Sequence, residues 1–216
     1  MMKNKLKLLI ILLVTLSISS CSNKVKKRID LIENITDSLY KSIDNLKDVK
    51  QIKLANAKVE LIKDSIHKIS TDKKFKLKYL DDYFVKIDST EKKLLRKEKY
   101  IYKSYASEIM VGKYTGFGSI YSKNYAVGLR EYNVEVFKSG IVDYGEKRSL
   151  GSWQHANLNL SDITAVSDTL INGDIYYQTK KICSFEWTPK KLHLFGGEYV
   201  ERGFTFSWDC DLKKSN

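Results

Sequence analysis

The side chains that could do chemistry are few. His67, His155 and His193 are the only histidines. A zinc site needs several nitrogen or sulfur ligands at short, repeated spacing, and none of the three has such a partner, so no metal is expected. Ser152-Trp153-Gln154-His155 lacks the glycines of a nucleophile elbow. Gly116-Phe117-Gly118 falls in a strand-like stretch rather than ahead of a helix, so it does not read as a phosphate loop. Glu131 and Glu135 share one face of an alternating segment whose other face is Tyr132, Val134 and Val136. They read as a solvated strand face rather than an acid–base pair. No catalytic residue and no cofactor is assigned, and the chain is not expected to be an enzyme.

Binding chemistry is the stronger signal. All three tryptophans and eight of the 14 tyrosines lie beyond residue 111. Aromatic rings fill a core, stack on sugars or line an apolar pocket. Trp153, Trp187 and Trp208 are the candidate ligand-binding residues, with Trp153 in an expected exposed loop beside Gln154, His155 and Asn157. Two cysteines fall on aromatic strand faces: Cys183 with Phe185 and Trp187, and Cys210 with Phe204, Phe206 and Trp208. They form either a disulfide, which requires direct pairing of their strands and Cα atoms within about 7 Å, or two buried thiols.

The remaining cysteine, Cys21, closes a different pattern. Lys3, Lys5 and Lys7 are followed by the apolar run Leu8–Leu16 and then by Ser17-Ile18-Ser19-Ser20-Cys21. The apolar run is shorter than the roughly 20 residues a membrane span requires and has the layout of a secretory signal. Ile18-Ser19-Ser20-Cys21 resembles the lipid-attachment box of bacterial lipoproteins. That resemblance implies cleavage after residue 20, acylation of Cys21, and attachment to a membrane of the cell envelope. Ser22-Asn23 after the cysteine carries no acid, which in that family favours the outer membrane facing the periplasm. An extracytoplasmic address argues against nucleic acid as a partner.

The elements that must position these residues divide by composition. All 11 glycines, the single proline and the tryptophans lie from Gly112 onward. Residues 22–110 hold 22 Lys+Arg against 14 Asp+Glu, whereas residues 111–216 hold 13 against 12. The net charge of +12 therefore resides in the signal and the N-terminal module. A long breaker-free stretch with Ile29, Ile32, Leu39, Ile43 and Leu46 at steps of three, four and seven reads as helix. The phase breaks near Lys50 and resumes with Ile52, Val59 and Ile66 beside Ala55, Ile62 and Ile69. A third set runs through Leu80, Phe84, Ile87, Leu94, Ile101 and Tyr105. The reading is a helical hairpin, coiled coil or three-helix bundle with its main turn near residues 70–74. Asp88-Ser89-Thr90-Glu91 offers a further helix start.

From Gly112 the alternation is that of strands, expected near 112–121, 124–130, 132–138, 141–149, 162–170, 174–183, 184–188, 191–195 and 203–210. Asn172-Gly173-Asp174, Thr188-Pro189-Lys190-Lys191 and Gly196-Gly197 read as turns. The expected fold class is α+β: an N-terminal helical module followed by an antiparallel β-barrel or β-sandwich. The domains are a signal at 1–20, a lipidated basic tether at 21–28, a helical module at 29–110 and a β domain at 111–216. Val111-Gly112-Lys113-Tyr114-Thr115-Gly116 resembles the first strand of lipocalin-like domains, which implies an apolar ligand in a barrel mouth. The partners expected are the membrane through the lipid, an envelope protein, a glycan or an apolar ligand, and further copies of the chain through the helices. Lys24, Lys26, Lys27 and Arg28 form a collar suited to an anionic surface, or simply a solvated helix face.

Overall fold

The structure, a computed structural model, describes residues 22–71, 80–122, 125–148, 151–201 and 204–215. Residues 1–20, expected as a signal, Cys21 and most of the segment between the second and third helices lie outside the described residues. The chain divides into two compact units, residues 1–98 and 99–216.

Helices α1 (Ser22–Ser42), α2 (Val49–Ser70) and α3 (Asp81–Ile109) form the first half of the chain, with a 3-10 turn at Ile43–Asn45. α1 buries Ile29, Ile32, Thr36 and Leu39 at steps of three and four. α2 buries Ile52, Ala55, Val59, Ile62, Ile66 and Ile69. The phase break expected near Lys50 falls at residues 43–48, where Asp48 caps α2 by accepting from the Gln51 amide at 2.8 Å. Asp88–Glu91 is not a helix start but the interior of α3. The Ser89 and Thr90 hydroxyls are spent there, each donating to the Lys86 carbonyl at 2.8 Å. Phe84, placed on the apolar stripe by its spacing, is 49% exposed. Between helices the ties are polar. Lys86 of α3 reaches Glu33 at 3.0 Å and Asp37 at 2.6 Å on α1, and Lys63 of α2 reaches Glu91 at 2.8 Å. Among the described residues no helix is long and apolar enough to cross a membrane.

The β domain is a closed antiparallel barrel of eight strands in sequential order. The strands are β1 (Gly112–Ser122), β2 (Tyr125–Val136), β3 (Ile141–Arg148), β4 (Gln154–Val166), β5 (Ile171–Tyr177), β6 (Lys180–Thr188), β7 (Lys191–Glu201) and β8 (Phe204–Lys214). Closure through β1–β8 leaves no free edge strand in the order. Inward positions are large and apolar, among them Leu158, Leu160, Phe185, Leu192 and Leu194, all at most 2% exposed. Outward positions are mainly polar, the reverse of a barrel that faces lipid.

Several expected boundaries move. The segments at 124–130 and 132–138 are one strand, β2, and a turn at Gln178-Thr179 divides the stretch expected over 174–183. Residues 154–157, expected as exposed loop, begin β4. Asn172-Gly173-Asp174 and Gly196-Gly197 are not turns but lie inside β5 and β7. Their glycines make room for rings. A Cβ on Gly173 would sit 3.0 Å from the Phe185 ring, and one on Gly196 would sit 1.8 Å from Trp208 Nε1. Turn glycine and packing glycine look alike in a sequence.

β1 runs from a near end at Gly112 to a far end at Ser122, and the other strands alternate between these ends. Residues 99–110 of α3 pack with the barrel at its near end. Lys99 bonds Asp162 of β4 at 3.2 Å, and the Tyr105 hydroxyl donates to Asp168. Tyr114, fully buried, donates to the Met110 carbonyl at 2.6 Å and accepts from Trp187 Nε1 at 2.9 Å.

Candidate functional site

The far half of the barrel interior differs from the near half in being polar as well as aromatic. On β2, Arg130 precedes Tyr132, Val134 and Val136 on the inward face. On β3, Glu146 follows Val142 and Tyr144 on the inward face. The register sets Tyr132 opposite Glu146 and Val134 opposite Tyr144. Arg130 Nη1 donates to both Glu146 oxygens, at 2.9 and 3.0 Å. The Tyr144 hydroxyl donates to Glu146 Oε2 at 3.0 Å. The ion pair is shielded but not sealed, with side-chain exposures of 11% and 20%.

Trp208 completes the cluster from β8. Its indole stacks on Tyr132 with centroids 5.5 Å apart and planes 17° from parallel. Tyr144 tilts against both rings, at 6.0 and 6.3 Å. Gly118 lies beside the cluster on β1, where a Cβ would meet the Asp209 carbonyl and Cys210 Cβ at 2.4 Å and the Tyr132 ring at 2.8 Å. A side chain there would collide with both β8 and that ring. Burial raises the Tyr144 pKa far above the usual phenol range, and the Glu146 charge adds to this. The phenol therefore stays protonated and remains a donor at any physiological pH.

Chemically the cluster offers stacking and hydrogen bonding: the rings pack on one another, with Tyr132 fully buried, and the Arg130–Glu146 pair keeps some contact with solvent. Glu146 is held by two partners and is no free base. Among the described residues no group of three or more His, Cys, Asp or Glu side chains is placed to hold a metal ion. Around the same end, Phe117, Tyr125, Val127 and Leu129 of the β1–β2 hairpin are 68%, 77%, 54% and 65% exposed.

The tryptophans chosen from sequence are not brought together. Trp153 is exposed before β4, 6.1 Å from the His155 ring. Trp187 is 3% exposed and serves the near-end core through Tyr114. Only Trp208 joins the cluster. Cys183 and Cys210 are free, buried thiols. They sit on β6 and β8 with β7 between, Cys183 opposite Gly196 and Cys210 opposite Leu194. The direct strand pairing that a disulfide requires is absent. Burial pushes the Cys183 thiol up to about 12, and burial raises that of Cys210 as well.

Sequence reasoning missed Arg130, Tyr132, Tyr144 and Glu146. A signal was present: Arg130 and Glu146 each continue the inward parity of an apolar alternation, two residues from a buried tyrosine. A charge on an inward face requires a partner, and the partner is on the adjacent strand. No protein-family model matches this chain, and no curated protein is similar to it.

Proposed function

We propose that this protein is a lipid-anchored lipoprotein of the bacterial cell envelope with a non-enzymatic binding role. The barrel acts as the recognition head and the helices as spacer and docking element. The observation that carries the binding role is the far end of the barrel, where exposed Phe117, Tyr125, Val127 and Leu129 accompany the inward Tyr132–Tyr144–Trp208–Arg130 cluster. The anchor rests on Lys3, Lys5 and Lys7, the apolar run and Ile18-Ser19-Ser20-Cys21. Multiple acyl chains at Cys21 hold a soluble domain durably, at roughly 0.8 kcal/mol for each buried CH2. The polar outer face of the barrel supports attachment to a membrane rather than insertion in it. The outer membrane, facing the periplasm, is the location favoured by Ser22-Asn23.

A carrier of an apolar ligand, in the manner of lipocalin-like domains, is the second reading. The closed eight-strand sequential order supports it. The near-end interior is occupied by Tyr114, Trp187 and their neighbours, so a ligand would occupy the Arg130 half. The narrow apolar stripes of the helices also suit self-association as a coiled coil or hairpin pair in a structural envelope role, and an immunity or exclusion lipoprotein that blocks an incoming toxin or phage fits the same architecture.

Metabolic labelling with an alkyne fatty acid tests the anchor. Label is expected on the wild-type chain and not on Cys21→Ser, and an unlabelled wild type overturns the lipoprotein reading. Native mass spectrometry of the detergent-extracted full chain tests the head. A retained mass lost in Arg130→Gln supports a carrier. An empty barrel, together with partner crosslinking abolished by Phe117→Ser/Leu129→Ser, supports surface recognition. An empty barrel with no partner crosslinked to the wild-type chain overturns the binding role.

A further inference from the structure

At the near end of the barrel, a second feature has no place in that reading. Lys190 and Lys191 leave the β6–β7 turn, and Lys213 and Lys214 end β8. Together with Pro189, Asp211 and Ser215 they line an open cleft of about 790 Å3. The ladder sets Lys191 directly opposite Lys213. Like charges directly opposite on neighbouring strands repel, an arrangement sheets avoid. One carboxylate serves the cluster, and it is already engaged. Asp211 accepts from Lys191 at 3.2 and 3.3 Å and from His193 Nδ1 at 2.8 Å. Lys190, Lys213 and Lys214 have no carboxylate at ion-pair distance among the described residues, and Lys214 Nζ instead lies 5.9 Å above the Tyr114 ring.

The contrast with the rest of the module is what gives this weight. Residues 111–216 are nearly neutral, with 13 basic side chains against 12 acidic ones. Four of those basic side chains line this one concavity with a single acid. The hydroxyls of Thr115 and Ser215, 3.3 Å apart, lie next to the cluster, with Thr115 opposite Lys213 in the β1–β8 ladder. Lysines lining one cleft beside hydroxyl donors complement a compact, multiply charged oxyanion.

We infer that this cleft is a binding site for a phosphoryl group. The chemistry is shared by a soluble phosphate compound and by the headgroup of an anionic phospholipid. The ligand would relieve the Lys191–Lys213 repulsion and neutralise the three unpaired ammoniums. Because charge drives it, binding weakens as salt screens the site.

The test uses the full chain in a non-ionic detergent, titrated calorimetrically with two probes: pyrophosphate, and a short-chain phosphatidylglycerol below its own micelle concentration. Wild type is expected to bind one probe saturably at one equivalent and to melt at a higher temperature in its presence. Lys190→Gln/Lys213→Gln/Lys214→Gln is expected to lose at least roughly tenfold in affinity. A charge-matched control, Lys138→Gln/Lys147→Gln/Lys180→Gln, is expected to bind as wild type does. The single variant Lys213→Gln, which removes one cross-strand repulsion, should fold and lose part of the affinity if the triple variant does not fold. Binding of pyrophosphate alone assigns a soluble phosphate, and binding of the phospholipid alone assigns a headgroup. No saturable binding of either probe, or an equal loss in the control variant, overturns the proposal.

Discussion

The helical unit and the barrel use apolar residues at regular spacing to opposite ends. Each helix buries one stripe and leaves its other faces to lysines and carboxylates, and cross-helix ties such as Lys86–Glu33 and Lys63–Glu91 are largely exposed. Exposed pairs of this kind contribute about 0–1 kcal/mol each. In the barrel every strand has two ladder neighbours, and the interior holds whole aromatic side chains, with the polar atoms of Tyr114, Trp187 and Tyr144 hydrogen-bonded. The difference implies that the helices are adjustable by pH and salt, whereas the barrel responds to losses of volume and of buried hydrogen bonds.

The largest break in this comparison should come from the barrel core. Phe185 is 1% exposed and lies over Gly173. Phe185→Ala is expected to cost about 3–5 kcal/mol, read by urea unfolding followed through tryptophan fluorescence, which reports only the barrel. The far-UV dichroism of the helices should keep its own midpoint. Equal shifts in both signals would mean that the two regions melt as one and would remove the contrast. The buried thiols sharpen the same point chemically. A Cys183 pKa of about 12 lowers its thiolate fraction roughly a thousandfold below that of an ordinary cysteine. Iodoacetamide at neutral pH should therefore label neither Cys183 nor Cys210 in the native protein and both after unfolding without reductant.

A smaller effect is expected from Tyr114→Phe. It removes the hydroxyl that joins Trp187 Nε1 to the Met110 carbonyl and leaves both without that partner. The cost should be about 1–3 kcal/mol, again confined to the fluorescence signal. The smallest is on the helices. The hydrogen bond from Lys86, reinforced by that from Tyr83, holds the Glu33 carboxyl below its ordinary value of 4.5. A depressed folded pKa contributes stability above the unfolded pKa, and that contribution disappears as pH falls through the folded value. The gap between wild type and Glu33→Gln in the helical midpoint should be present at pH 7, narrow steadily as pH falls below 4.5, and shrink in high salt. A gap that does not change with pH would mean the residue acts through packing instead.

Much of the fold was legible because its periods are strong. Ile52, Ala55, Val59, Ile62, Ile66 and Ile69 could only form a helix stripe, and Tyr132, Val134 and Val136 could only share a strand face. The misplaced boundaries have a common cause. Gly173 and Gly196 resemble turn residues because glycine permits turns, but here the absent Cβ admits the rings of Phe185 and Trp208. The candidate site was less legible. Residue type singles out Trp153, Trp187 and Trp208 alike, and an apparent loop favours Trp153, but only Trp208 joins the cluster.

Local pattern determined the two-part composition, the helix stripes, the inward parity of the strands and the resemblance of Ile18-Ser19-Ser20-Cys21 to a lipid-attachment box, because each depends only on near neighbours in the chain. Strand partnership lay beyond it. That Arg130 meets Glu146, that Lys191 faces Lys213, that Cys183 and Cys210 are kept apart by β7, and that the strands close into a barrel all follow from register between distant segments. A slip of one residue in that register would turn every side chain of a strand to the opposite face. The packing of the whole interior selects the register.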